Sequence, residues 1–409
     1  MTEHKKDNVG PLSGIRILDL SSVVMGPFAT QILADLGADV IKVESPSGDT
    51  MRAVGPMRNA AMGALFLHLN RNKRSVVLDL KTPAGQEACL QLIRESDVLL
   101  YNLRPAAMAR LGLDYERVAA ANPAIVYVGA YGFGEDGPYA GRPAYDDLIQ
   151  GMTGLGHLYQ QQSGDVPRYT PLTLCDRTVG LHVAVAVLAG VIEARQSGQG
   201  QAIEIPMFEA MAHFVLGDHL GGHSFEPALG PTGYARLLAK ERKPYQTSDG
   251  FLVLLIYNDK HWTSFFSLIG QPELQQDPRF SSHSARAIHI GEVYDFVASQ
   301  IKQKDTAYWL HALHQVDIPA APLYSIEQLI DDEHLQAVQH LQHMEHPTEG
   351  SICTPSPLGK YSRTPLSIRR HAPSLGEHTA QVLAELGYSE QDIQAMLASV
   401  HPSPREQMV

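Results

Sequence analysis

The chain has 409 residues, 44% of them hydrophobic, with a net charge of -12 and a pI near 5.9. That is enough apolar material for one large domain or two ordinary ones with proper cores. The acidic balance excludes a general nucleic-acid-binding surface but leaves room for a local basic pocket.

The first residues, Met1-Thr-Glu-His-Lys-Lys-Asp-Asn8, are polar and lack the apolar stretch of a secretory signal. Cys89, Cys175 and Cys353 are scattered without metal or redox spacing, which fits a reducing, cytoplasmic setting. The longest nearly uninterrupted apolar run, 181–192, is shorter than the roughly 20 residues of a membrane span and reads as a buried helix. No metal is expected. His311 with His314, and His340, His343 and His346, recur at threes without the zinc-helix pattern and read as solvated faces.

From residue 15 to 132 strand and helix signals alternate: strands over 15–21, 39–44, 75–80, 97–102 and 124–129, helices over 26–36 and 83–95. Apolar strands joined by amphipathic helices predict an α/β fold with a doubly wound parallel sheet covered on both faces. The pattern resumes with a strand at 170–174, a long apolar helix from about 177 to 196, and a strand at 202–206. A Gly-, Pro- and His-rich stretch over 217–235 reads as a linker. After a turn at Asp249-Gly250 come a strand at 251–257 and helices over 261–268, 290–303 and 306–315, a smaller α/β domain. The tail carries helices at 377–386 and 389–397. The expected division is 1–220 for the first part of the large domain, 221–330 for the small domain and 331–409 for a return to the large one.

Gly26 opening a helix after a strand, with Glu44 ending the next strand, has the outline of a dinucleotide site. The turn reads Ser21-Ser-Val-Val-Met-Gly-Pro27, without the three glycines that let a backbone approach a pyrophosphate. Cations gather instead around later strands: Arg71, Lys73, Arg74, Arg104 and Arg110. They suit either a phosphate-rich ligand or solvated surface charge.

Asp176 lies where the strand at 170–174 gives way to the long helix. A carboxylate there is kept ionised by the helix dipole and free N–H groups, and can attack an activated acyl group. The same position equally suits a plain N-cap, worth about 1 kcal/mol. Its neighbour Cys175 reads as a small apolar filler rather than a nucleophile.

The runs Pro11-Leu-Ser-Gly-Ile-Arg-Ile-Leu-Asp-Leu20, Gly26-Pro-Phe-Ala29 and Leu33-Ala-Asp-Leu-Gly-Ala-Asp-Val-Ile-Lys-Val-Glu44 resemble the opening of class III CoA-transferases, the formyl-CoA and carnitine-CoA transferase family with its racemase relatives. Asn72-Lys-Arg-Ser-Val-Val-Leu-Asp-Leu-Lys81, Ser96-Asp-Val-Leu-Leu-Tyr-Asn102, Tyr131-Gly-Phe-Gly-Glu-Asp-Gly-Pro138, Tyr145-Asp-Asp-Leu-Ile-Gln150 and Pro373-Ser-Leu-Gly-Glu-His378 extend the likeness along nearly the whole chain. The resemblance implies a large doubly wound domain built from both chain ends, a small inserted domain, and an interlocked homodimer.

It also implies Asp176 as the catalytic aspartate, Val23, Val24 and Met25 beside the thioester, and Tyr145 and Asp146 near the acyl group. Lys73 and Arg110 correspond to contacts with the phosphates of coenzyme A. Asn102 and Leu103, with Arg104 beside them, correspond to the rest of that cofactor. The substrates implied are an acyl-CoA and a small carboxylic acid, with transfer through an aspartyl anhydride and an aspartyl-CoA thioester.

Departures from the oxalate-handling branch argue against formyl or oxalate. Val24 replaces a Gln, Ser45 an Arg and Pro143 a Lys, and the glycine run ahead of the small-domain strand is absent. An acyl-CoA racemase of the same fold is the alternative, but its His-Asp pair is missing from Gly141-Arg-Pro-Ala-Tyr-Asp-Asp147. A CoA-binding protein without turnover is the other alternative, and it leaves Asp176 without a purpose. Arg142 and Arg168 are the candidates for holding a distal carboxylate of the acid.

Overall fold

In the computed structural model, residues 10–400 are described; the polar N-terminal octapeptide lies outside them. The chain separates into two compact units. One comprises 1–153, 170–214 and 339–409, and the other 154–169 and 215–338.

The first unit holds β1 (Arg16–Asp19), α1 (Met25–Asp35), β2 (Asp39–Glu44), α2 (Ala64–Asn70), β3 (Lys73–Val77), α3 (Pro83–Arg94), β4 (Val98–Tyr101), α4 (Pro105–Arg110), α5 (Tyr115–Ala121), β5 (Val126–Gly129) and α6 (Asp146–Met152). After α7 (Leu155–Ser163), which belongs to the second unit, come α8 (Leu174–Ser197) and β6 (Gln201–Glu204). All six strands pair in parallel in the order β3-β2-β1-β4-β5-β6. The strands alternating with amphipathic helices in the sequence thus become a doubly wound sheet. Its order reverses between β1 and β4, and open α/β sheets bind ligands at such a switch point, outside the carboxyl ends of the strands.

The sheet's core is aliphatic: Leu18, Ile41, Val76 and Leu99 are fully or almost fully buried, packed with Cys89, Leu92 and Ile93 of α3. The chain's return supplies part of the same core through Val382, Leu383 and Ile393. Arg74 is held between Asp39 at 2.7 Å and Glu385 at 2.8 Å, tying β3 to that returning segment.

Three sequence expectations need correction. No strand forms at 170–174; α8 starts at Leu174 and includes Asp176 in its first turn. The short, bonded pairs around Leu172 make a turn there instead. The predicted linker begins inside a helix, Met207–His219, because an apolar run from Met207 to Leu216 supports helix up to the glycines at 221 and 222. His346 is buried rather than solvated, with its ring Nε2 2.9 Å from the Ala372 carbonyl.

Long apolar α8 is 24 residues, long and apolar enough by length and composition to cross a membrane. It packs on α1 and on β5 and β6, where a Cβ at Gly190 would lie 2.5 Å from Val126 and 2.9 Å from Ile203. It is buried on one face only: Leu181, Val185 and Ile192 are more than half exposed.

The second unit has its own three-stranded antiparallel sheet, β7 (Tyr245–Gln246), β8 (Phe251–Leu254) and β9 (Ala320–Pro322). Its aromatic core is built from Trp262, Phe265, Phe266, Phe280 and Trp309.

Candidate active site

The turn after β1 is held by charge buried beneath it. Asp19 accepts bonds from the Ser21 amide at 2.9 Å and from Thr30 Oγ1 at 2.6 Å, and pairs with Lys73 at 3.2 Å. Burial alone would raise its carboxyl; the Lys73 and Lys42 ammonium groups outweigh that and hold it at about 2. Lys42 donates to the Ser21 carbonyl at 2.7 Å and pairs with Asp49 at 2.9 Å. Asp49 in turn accepts from the Val23 amide at 3.2 Å. This support matters because Val23 has φ +71, a left-handed backbone that is strained for a β-branched residue. Asn102, after β4, closes the turn from the other side, with Oδ1 accepting from the Ser22 amide at 3.0 Å and Nδ2 donating to the Ser22 carbonyl at 2.7 Å. The two loops at the switch point are thereby joined.

Helix α1 starts at Met25 without a side-chain cap. Gly26 is obligatory there, since a Cβ would sit 2.3 Å from Ser21 Cβ. Gly180 plays the matching part on α8: a Cβ would stand 2.8 Å from the Met25 carbonyl and 3.0 Å from Phe28. Asp176 lies one helical turn ahead of that contact on α8.

Asp176 is the third residue of α8, not its N-cap; Thr173 holds the cap position and makes no side-chain cap bond. The backbone amide of Asp176 donates to Asp146 Oδ1 at 2.9 Å, and Gln150 Nε2 donates to Asp146 Oδ2 at 2.6 Å. Asp146 is buried, whereas neighbouring Tyr145 is 72% exposed. Burial, together with the Asp146 carboxylate, pushes the Asp176 carboxyl up to about 7 against the pull of Arg177. Desolvation and the like charge of Asp146 thus oppose the ionisation expected at a helix N-terminus. The adjacent Cys175 is buried and its thiol, pushed up to about 12, stays protonated.

A cleft of about 270 Å³ opens at the carboxyl ends of β1 to β4, lined among others by Ser22, Ser45, Asp49, Lys81, Leu103 and Leu111. Leu103 lines this cleft, and Asn102 braces the Ser22 turn next to it. Arg104 and Arg110 are exposed at the two ends of α4, Arg104 donating to the Gly141 carbonyl at 3.2 Å.

The other cations are not a phosphate site. Lys73 is fully buried and spent on Asp19, the Pro27 carbonyl and Asn70; Arg71 pairs with Asp35 at 2.6 Å, and Arg74 with Asp39 and Glu385. Burying a cation without a partner is costly, so a basic cluster beside a strand is as often the inside of an ion-pair network as a surface patch. Glu44, similarly, is buried and saturated by Arg52, Ser75 and the Asp49 amide, leaving nothing for a ribose.

Of the two arginines considered for a distal carboxylate, Arg142 is exposed with its guanidinium 4.4 Å from the Tyr139 ring centroid. Arg168 lies in the second unit, paired with Asp165 at 2.6 Å. The residue that sequence reasoning passed over is Arg177. It is half-buried, its guanidinium carbon 5.0 Å from the Phe28 ring centroid, with no side-chain hydrogen bond or ion pair among the described residues. Its position directly after Asp176 was the available signal.

Comparison with known proteins bears on this geometry. The family model described as CoA-transferase family III matches residues 12–379. The chain is 35% identical to the succinate–glutarate CoA-transferase of Agrobacterium fabrum, over 92% of this chain and 96% of that one. It is 30% identical to the succinyl-CoA:glutarate CoA-transferase of Homo sapiens (96% and 90%), and 32% to a formyl-CoA:oxalate CoA-transferase of Streptomyces coelicolor (95% and 98%). Among solved structures, a CAIB/BAIF family protein from Brucella suis superposes with a TM-score of 0.76 at 31% identity, covering 92% of this chain and all of that one. A hypothetical protein from Mycobacterium tuberculosis gives 0.76 at 27%, covering 92% and 99%. With a cleft at the switch point of the sheet and a match along nearly the full length, the chain belongs to CoA-transferase family III and is a CoA-transferase.

Proposed function

We propose that the protein transfers CoA from an acyl-CoA to a carboxylic acid through covalent intermediates on Asp176. The observation that carries this reading is the carboxyl itself. It is half-buried at the first turn of α8, unpaired within ion-pair distance, and pushed up to about 7 by burial and by Asp146. Near neutral pH a large fraction is ionised, and a raised pKa makes the ionised form a stronger nucleophile than an ordinary aspartate.

An Asp176 oxygen attacks the thioester carbonyl and CoA leaves as thiolate, giving a mixed anhydride. The thiolate then attacks the Asp176 acyl carbon, releasing the donor acid and leaving an aspartyl-CoA thioester. The acceptor carboxylate attacks that thioester and displaces the thiolate again. Attack of the thiolate on the acceptor's acyl carbon yields the new acyl-CoA and restores Asp176. No net proton is consumed. Orientation supplies much of the rate, an effect worth roughly 7–11 kcal/mol in well-aligned reactions. The backbone N–H groups at the uncapped start of α1 are suited to a developing oxyanion.

The cleft walled by Leu103 and Leu111 and carrying Lys81 suits coenzyme A, with Arg104 and Arg110 at its α4 side as the remaining cations for phosphate. Lys73 has no part in it. The names of the relatives support succinyl-CoA as donor and a C4 or C5 dicarboxylic acid as acceptor. We also infer a homodimer, supported by the apolar outer face of α8, where Leu181, Val185 and Ile192 are exposed.

The test is turnover with succinyl-CoA and glutarate. Asp176→Ala should lose on the order of 10⁴-fold in kcat with its fold intact. Transfer at the wild-type rate in that variant refutes the mechanism.

A further inference from the structure

An unsatisfied guanidinium beside a nucleophile is a binding group waiting for an anion. Arg177 follows Asp176 on α8, is half-buried, and has neither a side-chain hydrogen bond nor an ion pair among the described residues. The buried arginines of the first unit, Arg52, Arg71 and Arg74, each pair with a carboxylate within 2.9 Å. Arg177 shares the half-buried state and the lack of a carboxylate partner with Arg369 and Arg370 of the returning segment, and differs from them in standing next to Asp176. Its guanidinium rests against the Phe28 ring, 5.0 Å from the centroid. That apolar platform orients the planar fork and strips water from one face, which strengthens a bond to an incoming anion.

The location is as informative as the lack of a partner. Phe28 lies four residues after the N-cap Val24 of α1, a rise of about 6 Å, so the ring that carries Arg177 stands about one helical turn along α1 from the loop where the reacting carbonyl is proposed to sit. A chain of two or three methylenes spans about 4–5 Å between its carboxyl carbons, given bond lengths near 1.5 Å. His68 of α2 is the other titratable group here; burial and the charges of Arg71 and Arg177 keep it low and therefore neutral, so it does not compete for the anion.

We propose that Arg177 binds the far carboxylate of a dicarboxylic acid, and thereby makes the enzyme select C4–C5 dicarboxylates over monocarboxylates of the same length. This rests on the CoA-transfer reading above and adds the residue that recognises the acid. A bidentate guanidinium–carboxylate contact holds the acid with its near carboxylate toward Asp176. A monocarboxylate leaves the guanidinium partly desolvated and unpaired, which is the source of discrimination.

The experiment uses succinyl-CoA as common donor and compares glutarate with pentanoate as acceptors, so that the donor half-reaction cancels in the ratio of kcat/KM. In wild type the ratio favours glutarate. In Arg177→Gln it falls roughly 10- to 100-fold, mainly through KM for glutarate, and Arg177→Lys recovers part of it. On the wild-type enzyme glutarate, and not pentanoate, protects the Arg177 peptide from phenylglyoxal; this arm needs no folded variant. An unchanged ratio in a well-folded Arg177→Gln, no wild-type preference for glutarate, or equal protection by both acids overturns the proposal. If Asp176→Ala still transfers CoA while the ratio depends on Arg177, the covalent mechanism fails and the assignment of Arg177 stands. If wild type transfers to neither acid, both fall.

Discussion

At the residue scale, two side chains carry opposite lessons. Lys73 has the sequence setting of a phosphate ligand, yet it is buried on Asp19. Removing one member of a buried ion pair costs about 3–5 kcal/mol. Lys73→Met should therefore lower stability by about that amount in denaturant unfolding, while KM for acyl-CoA in the surviving folded fraction stays near wild type. A phosphate contact would give the reverse pattern. Asp176 is the second case. Its folded pKa, near 7, stands above the ordinary 3.8, so ionising it costs stability as pH rises from about 4 through 7. The same ionisation creates the nucleophile, so kcat/KM for the donor should rise with pH across an acidic limb near 7. Burial is the larger cause and Asp146 the next. Asp146→Asn should hence move the limb to lower pH without returning it to 3.8; a limb that stays in place in this variant would remove Asp146 as a cause. Asp176 stands out in the sequence because it lies between a strand-like stretch and a long apolar helix and because the resemblance implies an aspartate there. Its pKa does not, because burial and the proximity of Asp146, 30 positions away, are properties of the folded chain.

At the element scale, the contact between α1 and α8 sets the site. Gly180 lets the helices approach until the Met25 carbonyl nearly touches it. Gly180→Ala should force them apart, costing about 1–3 kcal/mol of stability and lowering kcat more than it raises KM. Loss of stability with unchanged kcat would show that the spacing of these helices is not what aligns Asp176. Most strands and long helices were legible, since β2 and α3 announce themselves by apolar patterning bounded by turn residues. The stretch 170–174 misled because Thr-Pro-Leu-Thr-Leu has strand-like composition, whereas its backbone forms a turn that hands Leu174 to α8. Helices such as α4 and α6 were missed, being only six and seven residues long. Such elements form by packing rather than propensity, and leave little periodic signal.

At the scale of the whole molecule, α8 carries an exposed apolar face, which the homodimer inferred above would cover. Leu181, Val185 and Ile192 recur on its outer face. Light scattering should give twice the 44.7 kDa of one chain, and Val185→Glu should weaken that association; a monomer at micromolar concentration contradicts the dimer. Assembly was beyond reading from periodicity, which shows that a helix is apolar but not what covers it. The switch-point cleft, by contrast, follows from strand order, which reverses between β1 and β4. The central claim is that Asp176 becomes covalently acylated, and it is tested most directly by mass. Incubating the enzyme with succinyl-CoA and no acceptor, then trapping with hydroxylamine, should convert the peptide bearing Asp176 to its hydroxamate and leave the Asp176→Ala protein unmodified. Absence of any adduct in a protein that turns over, or a hydroxamate at another residue, would contradict the account.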